Sequence, residues 1–193
     1  MRKIRIFEHI SLDGVIEHDK PYEYGAWTVP YRSPVGAAAL LEAYGASFDL
    51  LLGRRTYDAW SGFWPKAGNS PMANAINAAT KYVATHRPDG LEWGPAKAVS
   101  SDIVDGVRGL KSTDGPDLIV SGSSTLTSVL LDKGLVDELV AIVYPVLLGR
   151  GKRLLSESVG ARELAFVSTW ATPTGVLFNT YRFVGSLRTD ASA

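Results

Sequence analysis

The chain contains no cysteine among its 193 residues. Disulfide bonds, thiolate metal sites and a thiol nucleophile are thereby excluded. Histidine is nearly as scarce: His9, His18 and His86 are the three present. No two of them stand in an HxxxH or HExxH relation, which argues against a zinc enzyme. Net charge is missing as well, since 20 Lys and Arg balance 20 Asp and Glu. This disfavours a protein that draws nucleic acid by broad positive charge, and it leaves little repulsion against self-association. No apolar run reaches the ~20 residues of a membrane helix. The longest, residues 139–148, is interrupted by Pro145. Residues 1–7 alternate charge and bulk without the apolar stretch of a signal peptide, so a cytoplasmic protein is expected.

What is present is ordinary for a folded domain: 46% hydrophobic and 21% charged residues, which excludes bulk disorder. The length suits one domain, assigned to residues 1–185, with a small polar tail over 186–193. Periodicity and turn residues predict strands over residues 3–10, 49–53, 82–85, 98–100, 117–121 and 135–146. Between them, helices are predicted over 35–48, 54–60, 71–80, 102–110 and 126–133. Two β-rich runs, 164–171 and 175–184, flank Thr172-Pro173-Thr174-Gly175, a hairpin turn. The pattern implies an α/β protein with one mixed, mostly parallel sheet, flanking helices and antiparallel edge strands.

In such a sheet, ligands bind beyond the carboxyl ends of the parallel strands. Three of those ends carry distinctive chemistry. Gly53-Arg54-Arg55-Thr56 joins a strand to a helix through a glycine and two guanidinium groups, a pattern suited to phosphate or to an ordinary turn with solvated arginines. Gly122-Ser123-Ser124-Thr125 forms a second such junction from small hydroxyl residues, and these serve a pyrophosphate or plain helix caps. Thr85-His86-Arg87 ends a third strand with further anion-binding capacity. Taken together they point to a dinucleotide bearing an additional phosphate. Gly149–Arg153 is basic and glycine-rich too, but reads best as a tight turn. The aromatic residues Trp27, Tyr31, Trp60, Phe63 and Trp64 can wall a flat heterocycle or cover a core edge.

These motifs, together with Ser11-Leu12-Asp13-Gly14 after the first strand and Pro145-Val-Leu-Leu-Gly-Arg-Gly151, resemble the dihydrofolate-reductase-like family. Within it they are most similar to the reductase domain of the riboflavin-biosynthesis deaminase/reductase and its stand-alone bacterial relatives. The resemblance implies a three-layer fold with an eight-stranded sheet, NADPH as hydride donor, and a homodimer. It implies that Gly53, Arg54, Arg55 and Thr56 hold cofactor phosphates, and that Thr85, His86 and Arg87 lie by the adenosine and its 2′-phosphate. Gly122, Ser123, Ser124 and Thr125 would cradle the pyrophosphate, while Asp13, Gly14, Val15 and Ile16 border the nicotinamide. Ser123 stands where the family usually has glycine.

The implied activity is reduction of a small nitrogen heterocycle such as 5-amino-6-(5-phosphoribosylamino)uracil. Trp27, Tyr31 and Trp64 would contact the substrate, and Asp13 and Glu42 are the carboxylates available as proton donors, with Glu17 a rival. Two other readings compete: a non-catalytic dinucleotide-binding sensor or dimeric scaffold, and a dihydrofolate reductase. Residues 139–148 are the expected dimer interface.

Overall fold

Alternating apolar and charged side chains after the N-terminus form β1 (Ile4–Ser11). It lies near the middle of an eight-stranded sheet whose spatial order is β5-β4-β3-β6-β1-β7-β10-β9. The other strands are β3 (Phe48–Gly53), β4 (Lys81–Ala84), β5 (Ala96–Ala98), β6 (Asp117–Val120), β7 (Glu138–Tyr144), β9 (Arg162–Ala171) and β10 (Leu177–Ser186). Strands β1 and β3 to β7 are mutually parallel, and β10 pairs antiparallel with both β7 and β9. A separate two-stranded sheet, β2 (Val15–Glu17) with β8 (Lys152–Arg153), was not foreseen. The computed structural model describes residues 1–17, 26–155 and 159–188. His18 and the tail beyond Arg188 lie outside the described residues.

Helices cover both faces. On one side α1 (Pro34–Tyr44), α2 (Arg54–Phe63) and α3 (Pro71–Ala78) contribute Tyr44, Tyr57 and Ile76 to a core with Phe7, Leu50 and Ile142. On the other, α4 (Ile103–Ser112) and α5 (Ser124–Asp132) bring Val107, Leu126 and Leu130 against Ile4, Ile6 and Val120. Because side chains alternate along a strand, Phe7 and Ile6 feed opposite cores. His9 and Glu8 inherit the same opposition one step further along.

Local chemistry explains most boundaries. Ser33 and Ser70 cap α1 and α3 by accepting the N–H of Gly36 and Ala73, each with proline opening the helix. Asp102 caps α4 through the Asp105 N–H. Helix α1 ends earlier than the pattern predicted, because Gly45 at φ 97° turns the chain and frees Phe48 to begin β3. The last strand runs to Ser186, and Arg188 pairs with Glu163 on β9.

The segment expected to form an interface, residues 139–148, is largely internal to the chain. Strand β7 is hydrogen-bonded on one edge to β1 and on the other to β10, and Val140, Ala141, Ile142 and Tyr144 are buried. Its hydrophobicity serves the core. Beyond β7 the segment exposes Leu147, and further exposed apolar side chains lie on β9 and β10, where Phe166 is 63% and Val167 53% exposed, along with Trp170 and Val184.

Candidate active site

The β3–α2 and β6–α5 turns touch at the carboxyl edge of the sheet. A Cβ on Gly53 would stand 2.8 Å from both Cβ and Oγ of Ser123. A Cβ on Gly122 would lie 3.1 Å from Thr56 Oγ1, and Gly122 itself needs φ 69°. Ser123 follows in the left-handed region at φ 61°, and its Oγ accepts the Leu126 N–H at 3.4 Å. Ser124 is buried and Thr125 exposed. Gly53 at the start of α2 offers no side-chain cap, so the helix presents its positive end uncovered.

The two arginines have separate tasks. Arg54 is inward: Nε donates to Asp58 at 2.8 Å, while Nη1 donates to the carbonyls of Arg87 and Asp89, each at 2.7 Å. It is a strut that holds the loop after β4. Arg55 is exposed and donates to Glu17 at 3.1 Å, tying β2 to α2. Thr85 is buried, and its hydroxyl accepts the Arg87 N–H at 2.9 Å, turning the chain so that His86 and Arg87 face solvent.

Asp13 is a tether. Its Oδ1 accepts from the Ser11 hydroxyl at 2.7 Å and from the Leu148 N–H at 3.0 Å, and its Oδ2 accepts from the Gly149 N–H at 2.8 Å. Its carbonyl takes a bond from Arg153. The Ser11 bond above all, then the backbone donors, hold the carboxyl down at about 2. Asp13 is therefore ionised at neutral pH, with both carboxylate oxygens engaged in holding the turn. The contacts anchor the turn that leads through Gly14 (φ 87°), buried Val15 and half-buried Ile16 to the tight turn at Gly149. Glu42 is exposed on α1, whose Leu40, Leu41, Ala43 and Tyr44 take the inward positions.

Trp27 and Tyr31 do converge, on a residue the sequence reading passed over. Their rings stand edge-on to Tyr144 at centroid distances of 5.1 and 5.9 Å. The Tyr144 hydroxyl lies 2.7 Å from His9 Nδ1, and Thr28 is a further hydroxyl neighbour. Arg32 donates to Thr28 Oγ1 at 3.1 Å. Burial, then the Arg32 charge, lowers His9 to about 4, so its ring is neutral. Trp64 packs elsewhere, against Trp60 and Phe63 at the end of α2.

Glu8 is the other residue missed. It is buried, accepts the Gly122 N–H at 2.9 Å, and is pushed up to about 7 by burial against the opposing pull of the Gly122 and His9 N–H bonds. A carboxylate and an imidazole placed next to Phe7 in a strand anchored by buried Ile4 and Ile6 were the available signal.

Known proteins resemble this chain in sequence and in fold. The family model described as the RibD C-terminal domain covers residues 2–178. YyaP, an uncharacterized protein of Bacillus subtilis (strain 168), is 27% identical over 140 residues, 70% of this chain and 74% of that protein. A Shewanella sp. PV-4 structure described under riboflavin biosynthesis superposes with a TM-score of 0.71 at 23% identity, covering 94% of this chain and 99% of that one. A Thermotoga maritima diaminohydroxyphosphoribosylaminopyrimidine deaminase/5-amino-6-(5-phosphoribosylamino)uracil reductase superposes at 0.67 with 14% identity. It covers 95% of this chain, which spans 57% of the Thermotoga protein. The fold is that of these reductase domains, and the chain belongs to the RibD C-terminal domain family.

Proposed function

We propose that the protein is an NADPH-dependent reductase of a small nitrogen heterocycle, the riboflavin-pathway aminouracil being the best-defined candidate. The observation that carries this reading is the contact between the Gly53 and Ser123 turns, which leaves two helix N-termini side by side at the carboxyl edge of the sheet. The residues fit a dinucleotide. A glycine cradle that a Cβ would fill, an uncapped α2 and the solvent-facing His86 and Arg87 supply backbone donors and cationic charge where phosphates need them.

When bound, the dinucleotide supplies the hydride, and the protein supplies position and environment. Gly53, Thr56, Gly122, Ser123 and Thr125 would contact the phosphates. Arg87, held out by Thr85 and Arg54, would read the 2′-phosphate. Asp13 fixes the turn through Val15 and Ile16 that would border the nicotinamide. The aromatic cluster of Trp27, Tyr31 and Tyr144 would receive the heterocycle.

A second reading, a dinucleotide-binding sensor without turnover, is favoured by the carboxylates: Asp13 is fully engaged and Glu42 is exposed. The exposure of Glu42 also weighs against a dihydrofolate reductase. A second copy of the chain is the proposed partner, meeting it through the exposed side chains of β9 and β10. Steady-state oxidation of NADPH with aminouracils, pterins and small carbonyl compounds decides between the readings. Turnover of an aminouracil is the expected result, and NADPH binding without turnover of any of them would leave the sensor.

A further inference from the structure

His9 and Tyr144 meet at the carboxyl ends of two adjacent parallel strands, and the direction of their 2.7 Å bond follows from acid strength. A phenol is a stronger acid than a neutral imidazole N–H, and an imidazole nitrogen is a stronger base than a phenolic oxygen. Tyr144 therefore donates to Nδ1, which places the imidazole hydrogen on Nε2. The nearby Arg32 charge and burial both disfavour a second proton, so the ring remains a neutral donor at physiological pH.

Among the described residues, nothing accepts from His9 Nε2. The Trp27 Nε1 is buried and likewise lacks an acceptor. Both rings pack on Tyr144, His9 at a centroid distance of 5.6 Å and Trp27 at 5.1 Å, with Tyr31 as a third wall. Trp27 Nε1, a buried donor without an acceptor, is costly unless a ligand supplies one, and half-buried His9 leaves its Nε2–H available to the same ligand.

We propose that His9 Nε2–H and Trp27 Nε1–H bind acceptor atoms, carbonyl oxygens or unprotonated ring nitrogens, on the edge of a planar heterocycle held against Tyr31 and Tyr144. Tyr144 is the positioning residue that locks the His9 tautomer. This deepens the heterocycle-reductase reading and rests on it. It also makes the site selective, because a ring edge that presents donors alone finds no match here.

The test uses uracil as the probe, titrated by NMR with and without NADPH, on the full chain. Nitrogen-15 spectra of wild type should show His9 as a single Nε2–H tautomer from pH 8 down to about pH 5. His9→Leu and Trp27→Phe should each weaken uracil by about ten-fold. His9→Gln, whose amide N–H replaces the Nε2–H, should stay within about three-fold of wild type. Tyr144→Phe should mix the tautomers and weaken uracil, while NADPH affinity, read by its fluorescence, stays unchanged in all four variants. An Nδ1–H tautomer, an imidazolium at neutral pH, undiminished uracil binding by His9→Leu, or no uracil binding by wild type would each overturn the proposal. If NADPH itself failed to bind wild type, the reductase reading would fall, and the tautomer and the NADPH-free titration would still judge the donor pair.

Discussion

The Gly122 N–H donates to the Glu8 carboxyl at 2.9 Å, so a buried acid sits directly beneath the turn proposed to receive a pyrophosphate. Burial holds that acid near 7, and an arriving phosphate favours its neutral form. Affinity for NADPH should accordingly fall as pH rises through about 7, because ionised Glu8 repels the phosphates. Glu8→Gln keeps an acceptor for Gly122 and should flatten the profile. Calorimetry in buffers of different ionisation enthalpy should show proton uptake on binding by wild type and none by the variant.

The two buried groups at the end of β1 act in opposite directions on stability. Glu8 is raised from 4.5 to about 7, so between those values the unfolded chain has lost a proton that the folded chain keeps, and stability falls as pH rises. His9 is lowered from 6.5 to about 4, so over that range the unfolded chain carries the extra proton, and stability rises with pH. Where the windows overlap, the slopes should cancel. Denaturant titrations of Glu8→Gln should then show stability rising by up to about 1.4 kcal/mol per pH unit between pH 5 and 6. A slope no different from wild type would remove one of the two shifts.

Gly53→Ala places a methyl group 2.8 Å from the Ser123 side chain, closer than packed atoms approach. The two turns must separate to admit it. We expect a loss of about 1–3 kcal/mol in stability, measured by urea unfolding, with NADPH affinity reduced at least ten-fold. Gly62→Ala, where nothing lies within 4 Å, is the control and should leave both nearly unchanged.

Cofactor choice should separate Arg87 from Arg54. Arg87→Ala removes a solvent-facing cation and should weaken NADPH by roughly ten-fold while sparing NADH. Arg54→Ala removes the bonds to the Arg87 and Asp89 carbonyls and should weaken both cofactors by loosening the loop. Equal effects of Arg87→Ala on the two dinucleotides would remove its proposed contact with the 2′-phosphate.

Strand β9 is an edge of ten residues with Phe166 and Val167 largely exposed. Long apolar edges invite pairing with another chain. Replacing Val167 with Lys should convert a dimer to a monomer in light scattering at micromolar concentration, with its melting curve retained. A wild-type monomer at that concentration would refute the dimer.

Much of this architecture was legible in the chain because its causes are local. Ser70-Pro71 announces a helix start, Gly53 stops a strand, and apolar residues at 118–120 can only be a buried strand, whereas the stop at Gly45 was read through. The candidate phosphate turns were legible for the same reason, since glycine followed by hydroxyl or basic residues at a strand end is a local signature. The functional carboxylates were not. Asp13 looks like a free acid until Leu148 and Gly149 close over it, and the sequence leaves the orientation of Glu42 open until the packing of α1 turns it out.

By itself, then, the cysteine-free, charge-balanced sequence determined an α/β chain with phosphate-suited turns and cations set at strand ends. The tertiary structure decided which groups meet. Gly53 against Ser123, Glu8 beneath Gly122, and His9 bonded to Tyr144, 135 residues along the chain, are long-range contacts. Sequence periodicity reports which face a side chain takes. It carries no record of which distant side chain shares that face, and burial, charge and tautomer all depend on that neighbour.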